Sequence, residues 1–184
     1  MEGHTIWLVG MMGAGKSAVG RALAARRRCA FVDGDEAVEG EAGASVAEIF
    51  AREGEAGFRR RERAAVERLA GRSAVVALGG GAIAQPGAAA RLRESGTVVY
   101  LRARPETLLA RLGEARERPL LAGLDAPARR ERLAQLLAER ESHYARAHVS
   151  VDTDGLDVEA VCAAVERGLA AQARQATAAG QGAA

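Results

Sequence analysis

Thr5-Ile-Trp-Leu-Val9 followed by Gly10-Met-Met-Gly13-Ala14-Gly15-Lys16-Ser17 and Ala18-Val-Gly20 is the stretch whose reading decides the fold. The octet Gly10 to Ser17 fits GxxxxGK[ST], in which backbone N–H groups close around phosphate oxygens. The lysine then reaches the terminal phosphates and the hydroxyl serves Mg²⁺. A phosphate loop needs a strand entering it and a helix leaving it. Thr5 to Val9 is a short apolar run suited to a buried parallel strand. From residue 16 to 27 the spacing predicts a helix, with Val19, Leu23 and Arg27 on one face and Ala22 and Ala25 as strong helix formers. That order aims the free amides and positive dipole end of the helix at the glycine loop, where an anion belongs.

Lys16 is the only lysine beside 25 arginines. A GC-rich coding composition explains why lysine is scarce, but not why the remaining one stands in this loop. With 184 residues, 48% hydrophobic and 27% charged, the chain suits one soluble domain, expected over 1–173, with 174–184 expected to be a disordered tail. Net charge is only +2, acids are interspersed with the arginine runs 26–28 and 59–61, and 3% aromatic residues offer few stacking platforms. A nucleic-acid partner is therefore not expected. Cys29 and Cys162 lack metal-ligand spacing and read as reduced thiols. No leader and no apolar run near the ~20 residues that span a bilayer is evident, so no membrane partner and a cytoplasmic location are expected. Nothing in the sequence demands more than a monomer.

Strand-like runs recur at 5–9, 30–32, 74–78, 97–101 and 148–152, separated by stretches that predict helices near 16–27, 36–53, 55–70, 87–94, 105–112, 128–144 and 156–173. This alternation predicts an α/β fold with a parallel sheet. Between Gly113 and Pro127, glycine and proline punctuate an aperiodic stretch, which reads as a mobile lid over about 113–127.

The phosphate loop names a nucleotide but not a reaction. Asp33-Gly34-Asp35 closes the second strand, where carboxylates project into the crevice that binds ligands in open α/β sheets. One can hold Mg²⁺ through water while the other takes a proton from an acceptor hydroxyl. Equally, this acidic run suits the first turn of a helix. The third strand runs into Gly79-Gly80-Gly81, which lets backbone approach a ligand closely. Arg59 after Phe58, Arg118 before Pro119 and Arg140 one turn before Tyr144 are candidate clamps for carboxylate or phosphate.

In order, Gly10 to Ser17 with Gly20, Phe31-Val-Asp33-x-Asp35, Ser45-Val-Ala-Glu-Ile-Phe50, Gly54-Glu-x-x-Phe58-Arg59, Leu78-Gly-Gly-Gly81, Arg118-Pro-Leu-Leu121 and Arg140-x-x-x-Tyr144 resemble the shikimate kinase family from residue 5 to about 154. The resemblance implies a three-layer α/β/α domain of the P-loop kinase type, with a five-stranded parallel sheet and a lid. It implies transfer of the γ-phosphoryl of ATP, with Mg²⁺, to the 3-hydroxyl of shikimate. Carried over, ATP falls to Gly13, Ala14, Gly15, Lys16, Ser17, Ala18, Arg111 and Arg118, with Arg111 packing against adenine. Shikimate falls to Asp35, Arg59, Gly80 or Gly81, and Arg140, and Mg²⁺ to Ser17 directly and Asp33 through water. Lys16, Asp35 and Arg118 take the catalytic roles, Asp35 as base.

One position departs from the pattern: the family usually has Thr or Ser between the aspartates, where this chain has Gly34. Asp-Gly-Asp also resembles gluconate kinase, the runner-up for a small hydroxy-acid acceptor. A non-catalytic nucleotide-binding module is the alternative of another class, but it needs neither Asp35 nor Arg118.

Overall fold

A computed structural model describes residues 4–113, 120–121 and 123–181, with side chains to residue 178. Its five strands, β1 (Thr5–Val9), β2 (Ala30–Asp33), β3 (Ala74–Ala77), β4 (Gly96–Arg102) and β5 (Val149–Asp152), form one parallel sheet in the order β2-β3-β1-β4-β5. The helices are α1 (Lys16–Arg27), α2 (Gly34–Ala42), α3 (Val46–Leu69), α4 (Ala88–Ser95), α5 (Pro105–Leu112), α6 (Ala126–Tyr144) and α7 (Val158–Gln181). β1 and β3 lie in the interior of the sheet with every residue buried, as a near-continuous apolar run requires.

Register shows how the helices divide into layers. Gly20 of α1 packs against Leu8 and Phe31, so α1 covers the face carrying Leu8 and its partner Val99. Cys162 of α7 donates its thiol to Val19 O of α1 at 3.6 Å, which sets α7 beside α1. Tyr100, one residue on from Val99, points to the opposite face, and there it stacks on Tyr144 of α6 at 4.8 Å. The expected three layers follow. The main core joins Trp7, Leu8, Leu23, Val99, Leu101, Leu108 and Leu133. A smaller cluster, Val38, Ile49, Phe58 and Ala65, seals α2 against α3.

Two helix boundaries differ from expectation. The helix expected over 36–53 is broken, because Gly43 takes a left-handed φ of 59° and ends α2. Ser45 then opens α3 with a capping box: its hydroxyl accepts from Glu48 N, and the Glu48 carboxylate accepts from Ser45 N at 2.7 Å. The expected division at residue 54 is present as a kink at Gly54, φ 66°. At the other end, α7 continues to Gln181 rather than stopping at 173, the alanine-rich composition of the tail being helix-forming. Residues 114–119 and 122 of the expected lid, Arg118 included, lie outside the described residues; Gly113 ends α5, and Asp125 caps α6 by accepting from Ala128 N at 2.9 Å. No helix among the described residues is long and apolar enough to cross a membrane.

Candidate active site

A cleft of about 840 Å³ opens at the carboxyl ends of β1, β2 and β3. Gly13, Gly15, Lys16, Ser17, Ala18, Asp33, Asp35, Gly80 and Arg111 all line it. Gly13 and Gly15 adopt φ of 82° and 89°, left-handed values at which a side chain is strained, and these conformations turn the loop around the start of α1. Ala14 is buried beneath the loop, with its N–H bonded to Met11 O at 3.1 Å. Lys16 Nζ donates to Gly10 O at 2.9 Å and to Met11 O at 3.0 Å, so its ammonium crosses the mouth of its own loop.

Asp33 caps the helix and also faces the phosphate loop. Its Oδ1 accepts from Asp35 N at 3.1 Å and caps α2, while Oδ2 accepts from Ser17 Oγ at 2.7 Å. Ser17 and Asp33 thus present hard oxygens side by side. This donor set fits Mg²⁺, which keeps several waters and takes one or two protein oxygens plus substrate phosphates. Among the described residues no group of three or more His, Cys, Asp or Glu forms a cage for a metal. Gly34 has a packing reason: a β-carbon there would sit 3.1 Å from Ala77 O and 3.4 Å from a Leu78 methyl.

The three glycines after β3 each make room for different side chains. A β-carbon on Gly79 would lie 2.7 Å from Glu62 Oε1 and 3.0 Å from Asp35 Oδ1. On Gly80 it would meet Arg140 Nη1 at 3.4 Å, and on Gly81 it would meet Arg59 Nη2 at 2.5 Å. Asp35, Arg59, Gly80, Gly81 and Arg140 therefore converge on one backbone loop, of which Asp35 and Gly80 line the cleft. Tyr144, fully buried, donates its hydroxyl to Gly80 O at 2.5 Å and anchors that loop to α6. Arg111 leaves α5 to donate to Thr153 Oγ1 at 2.9 Å and Thr153 O at 2.6 Å, which holds its guanidinium at the far edge of the cleft.

Glu62 is the site residue that sequence reasoning missed. It lies on α3 three residues after Arg59, only 3% exposed, and accepts from Arg59 Nη1 at 2.9 Å. Burial pushes its carboxyl above the usual range, Arg59 opposes that shift, and the nearby Asp35 charge adds to it. For Arg59, burial pulls the pKa down, but the ion pairs with Glu62 and Glu55 prevail and hold it above the ordinary value. An acid three residues after an arginine on an otherwise apolar helix face was the available signal.

The shikimate kinase family model matches residues 12–169. The chain is 45% identical over 172 residues to a shikimate kinase of Moorella thermoacetica, covering 93% of this chain and 96% of that protein. To a shikimate kinase of Symbiobacterium thermophilum it is 48% identical over 164 residues, covering 87% and 92%. A solved structure, shikimate kinase from Acinetobacter baumannii in complex with shikimate, superposes with a TM-score of 0.85 at 36% identity, over 92% of this chain and 94% of that one. A gluconokinase from Sinorhizobium meliloti, at 22% identity and a TM-score of 0.63 over 95% of each chain, shares the fold alone. With a phosphate loop facing an arginine-flanked acidic crevice, the chain belongs to the shikimate kinase family.

Proposed function

We propose that this protein transfers the γ-phosphoryl group of ATP to the 3-hydroxyl of shikimate, giving shikimate 3-phosphate and ADP. The observation that carries the reading is the convergence of Asp35, Arg59 and Arg140 on Gly79 to Gly81, with Gly80 packed beside Gly10 O, the carbonyl to which Lys16 Nζ donates. Arg59 and Arg140 suit a carboxylate, Asp35 the hydroxyl beside it, and Lys16 the phosphoryl between them.

Binding the triphosphate replaces the Gly10 and Met11 carbonyls around Lys16 Nζ with phosphate oxygens. The amides of residues 13–18 at the start of α1 hold the β-phosphate, and Arg111 packs against the base. Asp35 accepts the proton of the acceptor hydroxyl as the hydroxyl oxygen approaches phosphorus in line with the leaving ADP oxygen. Ser17 directly and Asp33 through water would hold Mg²⁺, which neutralises phosphate charge. Positioning and charge neutralisation supply most of the catalysis of such a transfer. Arg118 from the lid completes the charge around the transferring group, and the lid excludes water as competing acceptor. The protein acts as a monomer, with no nucleic-acid or membrane partner, in the cytoplasm.

A coupled ADP-release assay with ATP, Mg²⁺ and either shikimate or gluconate tests the proposal. Turnover is expected with shikimate and not with gluconate; the reverse result would transfer the assignment to gluconate, and no turnover with either would leave a nucleotide-binding module.

A further inference from the structure

Glu62 is a buried acid whose ionisation is held by few groups. Its Oε2 takes both available donors, Arg59 Nη1 at 2.9 Å and Gln85 Nε2 at 2.7 Å, while Oε1 is buried without a hydrogen-bond partner among the described residues. Gln85 comes from a different part of the chain, the turn that follows the glycine loop. That turn is tied by Ala82 N to Gly79 O at 3.0 Å, Gln85 N to Ala82 O at 3.4 Å and Ala88 N to Gln85 O at 2.9 Å. The amide orientation is fixed from both ends, because Arg63 Nη2 donates to Gln85 Oε1 at 3.5 Å and leaves the NH₂ for Glu62.

We propose that Gln85 is a positioning residue of the acceptor site: its amide N–H holds the Glu62 carboxylate, and through it the guanidinium of Arg59. The inference rests on the reading of Arg59 as a carboxylate clamp. Arg59 is offered two acids by its own helix, Glu62 through Nη1 and Glu55 through Nε and Nη2. Glu55 is 60% exposed and Glu62 4% by side chain, so Glu62 is the fixed anchor and Glu55 the one that an acceptor carboxylate can displace. A hydrogen bond to the charged form of a carboxyl lowers its pKa, and here the Gln85 amide works with Arg59 against burial and against Asp35. Without Gln85, Glu62 protonates at a higher pH. Its hold on Arg59 then weakens, and the guanidinium turns toward Glu55.

The test replaces Gln85 with Leu, of similar size but without the donor, and with Met as a second variant in case the first fails to fold. KM for shikimate is measured from about pH 9 down to about pH 5. At the acid end KM is expected to rise about tenfold more in Gln85→Leu than in the wild type, with KM for ATP unchanged and kcat within about twofold. A KM that does not respond, or that rises by the same factor at every pH, overturns the proposal in favour of a purely structural turn. The carboxyl ¹³C resonance of Glu62 gives a reading that needs no turnover. Its titration midpoint is expected to move up in the variant, and an unmoved midpoint overturns the proposal even if shikimate is not the acceptor. Wild-type protein that is inert toward shikimate but shows the shifted Glu62 titration in the variant would instead count against the assigned acceptor alone.

Discussion

Gly81 and Arg59 are fitted to each other: the site where a β-carbon would stand on Gly81 is 2.5 Å from Arg59 Nη2. The guanidinium is the far end of a flexible side chain, so the backbone can survive the collision, but Arg59 cannot keep its place. Gly81→Ala is therefore expected to fold and to raise KM for shikimate about tenfold or more, while KM for ATP stays near the wild-type value. Steady-state kinetics with each substrate varied in turn checks this, and an unchanged acceptor KM would remove Arg59 from the clamp.

Lys16→Arg keeps the charge and loses the shape. The ammonium of Lys16 sits within 2.9 Å and 3.0 Å of two loop carbonyls, and a planar guanidinium is too broad for a gap of that size. The expected result is a fall in kcat of about 10² or more, from lost stabilisation of the transferring phosphoryl. Single-turnover rapid quench measures it directly, and full activity would show that the loop does not need a point charge.

Asp35→Asn should abolish transfer yet leave nucleotide binding nearly intact, because Asp33 supplies the carboxylate that Ser17 Oγ binds. Calorimetry of ATP binding beside turnover separates the two effects. Ordinary turnover in the variant would take Asp35 out of the proton path.

Tyr144→Phe retains the stack on Tyr100 and removes the hydroxyl that holds Gly80 O at 2.5 Å. Burial raises this phenol to a pKa of about 12, so in the native protein it remains a donor across the working range. Losing it strands a carbonyl, at a cost of about 1–3 kcal/mol in denaturant unfolding, together with a weaker acceptor KM. Wild-type stability and KM in the variant would show that the loop is held by its own turn.

His148 provides a pH test far from the cleft. Its ring Nδ1 accepts from Val98 N at 3.0 Å while the His148 backbone N–H donates to Val98 O at 2.9 Å, so Nδ1 must be unprotonated where β5 joins β4. Burial first, then Arg93 and His4, lower its pKa from 6.5. A base depressed by folding takes its proton first in the unfolded chain, so its contribution is whole above about pH 6.5 and is lost as pH falls through that value toward the folded one. His148→Gln keeps an acceptor for Val98 and does not titrate, and its melting temperature should fall less than the wild type's between about pH 7.5 and about pH 5.5. Parallel melting curves for the two proteins would locate the acid sensitivity elsewhere.

The strand and helix around the phosphate loop were legible because each is set by local chemistry: an apolar run at Thr5–Val9, glycines at the turn and alanines beyond. Asp35, Gly80 and Arg140 were named from ordered motifs, and the structure brings the three onto one loop. What stayed hidden was what depends on pairing at a distance. The role of Glu62 is set by Gln85, 23 positions away, and nothing local marks the two as partners. The break between α2 and α3 is a different kind of omission, because Ser45 and Glu48 spelled a capping box that an alanine-rich, helix-forming context obscured.

The solitary Lys16 also gives the molecule a single scissile point for a lysine-specific endoprotease, the peptide bond between residues 16 and 17. That bond lies in the first turn of α1, and a protease must draw the backbone out straight to cut it. Digestion therefore counts excursions of one turn of one helix and yields two fragments of very unequal mass, so a gel alone can time how often this corner of the protein comes apart.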